Sequence, residues 1–196
     1  MPVKSNMNDI VHAFSKIHGL SHLKRQGPSL FAGISPTKIS SITNHSYMVS
    51  VVALLLRNHM PQNYRFDKIY EYIITHDWGE IEVNDLPVSS PSYAQYFNGN
   101  IRELFHNAEA KVLEEFMDNH GIENRFLDLT EDESKYCNYC DNLSHLFEIL
   151  YIKESGNIHG WLDKMFIVRV EELKKFNYEF NLELLNSLWQ EYEKLR

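Results

Sequence analysis

The sequence predicts an all-α protein with about seven helices. Apolar residues recur at helical spacing along most of the chain. No segment alternates apolar and polar as a strand does, and no hairpin dipeptide joins alternating segments. Ile10, Phe14 and Ile17 share one helix face. Asn44 to Arg57 is apolar almost all round, as expected of a helix buried within a bundle. Asp67 stands where it would cap a helix carrying Ile69, Ile73 and Ile74. Ile101, Phe105, Ala108, Val112 and Phe116 form the next stripe, and Gly121 is a fitting stop. Thr130 and Glu133 form a capping box. It opens a stripe of Tyr136, Cys140, Leu143, Phe147 and Leu150. Two further amphipathic stretches run from Ile158 to Phe176 and from Asn181 to Leu195. Between these elements, Gln26 to Thr43 and Asp85 to Gly99 are rich in turn-forming residues and read as loops. Loops of that length in a compact helical domain usually serve function.

At 196 residues the chain suits a single domain over 1–196, built around one core. A hydrophobic share of 43% and a charged share of 23% are ordinary for a globular protein. The net charge of −8 argues against polymeric nucleic acid, whose binding depends on clustered Lys and Arg. The longest apolar run, Val49 to Leu56, is too short to span a bilayer, so no membrane is expected. Met1 to Ile10 lacks the apolar centre of a signal peptide. Cys137 and Cys140 are too few and too close for a disulfide framework. A reducing, cytoplasmic setting is the simplest expectation. The ten histidines stand out.

The segment from Thr75 to Pro87 is the most informative. His76-Asp77 ends a helical pattern, Glu80 follows three residues later, and Asp85 lies where the chain turns into a loop. Neighbouring helical side chains diverge by about 100°, yet both can reach one ion near a helix end. An imidazole and a carboxylate together suit a divalent metal, although a His-Asp pair alone is far more often a simple helix-end pair. Two further residues strengthen the metal reading. His45 opens the apolar helix 31 residues before His76. Asp141 sits within an otherwise apolar helix, 64 residues after Asp77, where a carboxylate needs a partner.

The order His45, His76-Asp77, Asp141 resembles the signature of HD-domain metal-dependent phosphohydrolases. The extended block His76-Asp77-x-x-Glu80-x-x-x-x-Asp85-Leu86-Pro87 resembles the bacterial 5′-deoxynucleotidases and their phage and biosynthetic relatives. So do Tyr96-Phe97-Asn98 and the Glu133-Ser134-Lys135 turn, and the likeness spans roughly Leu20 to Gly156. The resemblance implies an HD-type helical bundle, with His45, His76, Asp77 and Asp141 holding one divalent ion. Co, Mn, Zn, Ni or Fe would suit that mixed set, and Mg less well. It further implies that Glu80 serves the attacking water, that Asp85 lies near phosphate and sugar, and that Arg25 holds the phosphate. Gln26 stands where the deoxynucleotidases carry a tryptophan.

The expected substrate is a small-molecule nucleotide, first a deoxyribonucleoside 5′-monophosphate cleaved to nucleoside and phosphate. The alternatives are a deoxynucleoside triphosphate releasing triphosphate, as a dATP-type enzyme would, and a non-catalytic nucleotide-binding module. His145, one turn after Asp141, is placed to support the ligands. The other seven histidines read as surface or helix-end residues. Cys137 and Cys140 fit the core stripe as well as a metal or redox role. Trp78 and Phe31 fit either a stacked base or the core. Tyr178, Phe180, Trp189 and Tyr192 offer a surface for homo-oligomers, or else pack back on the core.

Overall fold

A computed structural model describes residues 7–26, 34, 39–85, 101–122 and 128–196. Its helices are α1 (Met7–Gly19), α2 (Ile42–Leu55), α3 (Phe66–Thr75), the short α4 (Glu80–Val83), α5 (Ile101–Asn119), α6 (Glu131–Glu154), α7 (Gly160–Leu173) and α8 (Asn181–Lys194). Two 3-10 turns, Arg57–His59 and His76–Gly79, complete the described regular structure. Among the described residues the sole β pairing is an isolated bridge between Lys24 and Ser41. The all-α expectation, with seven helices of ten residues or more among the described residues, therefore holds.

The helix ends follow local chemistry. Ser41 caps α2 by accepting the Asn44 N–H. Thr130 and Glu133 close the expected capping box on α6. At the end of α5, Gly121 takes a left-handed φ of 62°, and the Ile122 N–H returns to the Met117 carbonyl at 2.9 Å. That is a Schellman closure, in which glycine avoids the strain of a Cβ. One expectation is corrected. Asp67 does not cap α3, which begins at Phe66 with Asp67 inside its first turn. Arg65 instead anchors that end through its backbone N–H and guanidinium on Glu133 of α6.

Helix α6 runs through the centre. Tyr136, Tyr139, Cys140, Leu143 and Leu146 are buried against residues of α2, α3, α7 and α8. The all-round burial expected of α2 is only half observed. Val49, Val52 and Ala53 face the core, whereas Tyr47, Leu54 and Leu55 are exposed. On α1, Ile10 and Phe14 share a face but are also exposed. The C-terminal aromatics pack inward. Tyr178 and Phe180 meet Tyr139 edge-on. Tyr192 stacks on Phe166 at 4.0 Å and donates its hydroxyl to Asp163. Trp189 alone keeps substantial exposure. No helix among the described residues is long and apolar enough to cross a membrane.

Candidate metal centre

The first turn of α2 and the end of α3 meet beside the middle of α6. His45 is buried there, on the fourth residue of α2. The α3 helix tightens into the 3-10 turn at His76, which brings two consecutive side chains to one place. His76 Nδ1 donates to the Ile73 carbonyl at 2.7 Å. That bond orients the ring and turns Nε2 towards Asp77 Oδ1, 3.0 Å away. The other Asp77 oxygen takes a hydrogen bond from the buried Ser46 hydroxyl at 3.1 Å. Asp141 reaches in from α6, with Oδ1 at 2.9 Å from His45 Nε2.

These groups form two triads that share His45: His45, His76 and Asp77, and His45, Asp141 and His145. Within each, ligand atoms lie within 4.8 Å of one another. Two imidazoles and two carboxylates suit a borderline divalent ion and leave coordination positions open. Asp141 Oδ1 is shielded from solvent yet forms no well-directed hydrogen bond, despite the nearby His45 nitrogen. A buried acceptor left that way is costly, and a cation between the triads would satisfy it. The residues present therefore fit a divalent metal. Burial would raise Asp141, but His145, His45 and His76 outweigh it and hold the carboxyl well below its usual range.

Arg25, to which the resemblance gives the phosphate, comes close to this centre. Its Nη1 lies 2.8 Å from His45 Nδ1, and its Nη2 lies 2.6 Å from His145 Nε2. Glu148 of α6 is 3.4 Å from Nη1. Burial disfavours the guanidinium charge, but Glu148, Asp141, Asp85 and Asp77 more than offset it and raise its pKa. His145 stacks on His45 with centroids 5.2 Å apart, and burial drives its pKa well down. Asp85 Oδ2 accepts the Gln26 backbone N–H at 2.7 Å, which ties the Arg25 segment to the motif. Asn84, with a left-handed φ of 62°, turns the chain there.

Glu80 starts α4. Its Oε2 is buried and makes no hydrogen bond. Burial first, then Asp77, Asp85 and Glu109, push its pKa up to about 10, with Arg25 pulling the other way. Glu109 of α5 joins this group, although nothing in the sequence singled it out. Its own carboxyl is raised by burial, and His106 opposes that from 3.2 Å. The clue was an acidic residue between Ala108 and Val112 of an apolar stripe. Gly79 explains the proximity, because a Cβ built there would lie 2.4 Å from the Glu109 carbonyl oxygen. Only glycine lets the His76–Gly79 turn approach α5 so closely.

Several other expectations are settled by position. Cys137 and Cys140 are reduced, buried core residues, and neither joins a candidate metal group among the described residues. Trp78 packs edge-on against Phe116. It also lines an apolar cavity of about 270 Å³ with Tyr47, Tyr70 and Ile74. A cavity of about 30 Å³, room for about one water, lies against His76 and Asp141. His120 stands at the end of α5, as expected, and is buried there, with Nδ1 donating to the Phe116 carbonyl and Nε2 2.9 Å from His12 Nδ1. Phe31, Leu86, Pro87 and Tyr96-Phe97-Asn98 lie outside the described residues.

A family model described as the HD domain matches residues 18–180. The PH0347 protein of Pyrococcus horikoshii OT3, known from its crystal structure, superimposes with a TM-score of 0.71 at 23% identity. A conserved hypothetical protein of Pyrococcus furiosus superimposes with a TM-score of 0.69 at 25% identity. Each alignment covers 92% of this chain and 99% of the other. No curated protein matches the sequence significantly. The family match spans most of the chain and encloses both triads, so the chain belongs to the HD-domain family, whose members are in general metal-dependent phosphohydrolases.

Proposed function

We propose that this protein is a metal-dependent phosphohydrolase of nucleotides, acting on deoxyribonucleoside 5′-monophosphates to give nucleoside and inorganic phosphate. One observation carries the reading. The imidazole–carboxylate centre, a half-buried arginine fork and an unbonded buried glutamate oxygen lie close together. His45, His76, Asp77 and Asp141 would hold a single Co, Mn, Zn, Ni or Fe ion, with Mg a weaker fit. When bound, such an ion polarises a phosphoryl oxygen and acidifies water.

The chain's own residues supply the rest. Arg25 offers paired N–H donors to phosphate oxygens, a geometry that lysine cannot copy. Glu80 directs its free Oε2 to the attacking water and takes its proton. The pKa near 10 reflects burial first and the surrounding carboxylates second, and a bound cation would offset the carboxylates' share. Water oxygen bonds to phosphorus as the bond to the sugar 5′-oxygen breaks, and that oxygen collects a proton. Asp85, fixed by the Gln26 N–H, would lie near the phosphate and sugar.

The test is a panel of nucleotides with Mn or Co, in which nucleoside, phosphate, pyrophosphate and triphosphate are each quantified. Inorganic phosphate from dAMP or its counterparts is expected. Intact triphosphate as first product from a deoxynucleoside triphosphate would move the substrate to that class. Nucleotide binding without turnover under any metal would overturn hydrolysis.

A further inference from the structure

We propose a second divalent-ion site, apart from the His45 centre, in which His12 of α1 and His120 at the end of α5 clasp a Zn, Ni or Cu ion. It does not depend on the phosphohydrolase reading. His12 Nδ1 and His120 Nε2 stand 2.9 Å apart. The two rings are 21° from parallel with centroids 5.2 Å apart, so these nitrogens meet nearly head-on. Zinc binds imidazole nitrogen at about 2.0–2.1 Å, and two such nitrogens at adjacent corners of one ion lie about 3 Å apart. The pair already has that span.

His120 is held as a ligand is held. It is buried, and its Nδ1 donates to the Phe116 carbonyl at 2.7 Å. A carbonyl behind one ring nitrogen, aiming the other outward, is the common support of a metal-bound imidazole. The nitrogen so aimed meets a second imidazole, 108 positions away in the chain. His12 is exposed, so its ring can pivot until both lone pairs converge on one ion. Space and charge agree with this. Both rings line a cavity of about 600 Å³ between α1, α4 and α5. That is ample room for an ion and its waters. Asp9, Glu82 and Glu115 line it as well, against the single cationic side chain of Lys16, which pairs with Glu82 at 3.0 Å. The lining is thus acidic on balance and draws a cation. Two imidazoles, with water or a carboxylate of Asp9 or Glu115 completing the shell, select a borderline ion over Mg or Ca. Once bound, the ion staples α1 to α5 beside α4, the helix that Glu80 begins.

Two measurements test this, neither of them turnover. The first is equilibrium dialysis of the metal-stripped full-length chain against Zn or Ni, with bound ion counted by elemental analysis. Wild type is expected to hold two ions per chain, a count that depends on no variant folding. His12→Ala, at an exposed position, is expected to weaken one of the two by at least about tenfold and spare the other, since loss of a mere supporting group already costs about 10–100-fold. One ion per chain in wild type, or two unchanged affinities in His12→Ala, overturns the proposal. The second is thermal unfolding of His76→Ala, in which the first centre is disabled, with and without Ni. A metal-dependent rise in Tm that His12→Ala removes is expected, because an ion that binds only the folded chain stabilises it. No rise, or an equal rise without His12, overturns it. Two bound ions in a protein that hydrolyses no nucleotide would refute the proposed function and leave this site standing.

Discussion

Gly79→Ala is the sharpest structural perturbation of this cleft. Gly79 has helical angles, φ −60° and ψ −26°, so alanine would ordinarily stabilise by about 0.5–1 kcal/mol. Here the added Cβ would lie 2.4 Å from the Glu109 carbonyl oxygen, 3.0 Å from its carbon and 3.2 Å from its Cα. All three are backbone atoms of α5, so no rotamer change relieves the clash. The turn and the helix must separate by most of an ångström. Overpacking of that kind costs about 1–3 kcal/mol, which outweighs the entropic gain. A net loss near 1–2 kcal/mol lowers Tm by about 2–8 °C in a chain of this size. Gly79 sits between Asp77 and Glu80, so the shift reaches both the metal centre and the proposed base. Misplacement of about 1 Å costs about 100-fold in rate. Thermal unfolding and Mn affinity are the assays, with phosphate release as the third readout. Equal or greater stability with unchanged Mn affinity would refute the close-approach argument.

Three further outcomes are expected. Glu133→Gln keeps the shape of the capping box but removes the charge facing Arg65, and should cost about 1–3 kcal/mol at pH 7 in urea unfolding. The Arg65 hydrogen bonds hold the Glu133 carboxyl down at about 2. Its contribution is therefore complete above about pH 4.5 and lost as pH falls towards 2, so the gap between wild type and variant should shrink at pH 3. A gap that widens in acid would contradict this. His76→Ala and Asp77→Ala should each abolish metal binding and phosphate release, and full activity after exhaustive chelation would exclude the metal mechanism. Burial pushes the Cys137 thiol up to about 12 and the Cys140 thiol higher still. Neither should react with iodoacetamide in native protein at pH 8, and rapid labelling followed by mass spectrometry would show the pair to be accessible.

The parts of this molecule legible in the sequence are those that local chemistry decides. Helical period located α5, α6, α7 and α8, and the Thr130–Glu133 box located the start of α6. The spacing of His45, His76, Asp77 and Asp141 marked four residues that the fold brings into two triads. What the sequence hides depends on partners far along the chain. Asp67 has good capping chemistry, yet Arg65 wins because Glu133 lies 68 positions away and beside it. His120 is the helix-end residue it looks like, but its burial depends on His12, which arrives from α1, 108 positions earlier. Glu109 carries no motif and enters the site because Gly79 lacks a side chain. The stacking of His145 on His45, and the arginine bridging them, likewise required the packing of α2 on α6.

The charge balance of the cleft reconciles an acidic protein with an anionic substrate. Asp77, Glu80, Asp85, Glu109 and Asp141 converge there. Among the described residues, Arg25 is the fixed cation in their midst. Such a pocket repels phosphate and attracts a divalent ion, since the field at the site outweighs the sum over the surface. Burial is the larger cause of the upward push on Glu80 and Glu109, and the crowded carboxylates add to it. One divalent ion held by these residues would offset two units of that negative charge. The order of events then follows from electrostatics: cation first, anion second. Among the described residues, the guanidinium at this centre is that of Arg25, which contacts His45, His145 and Glu148.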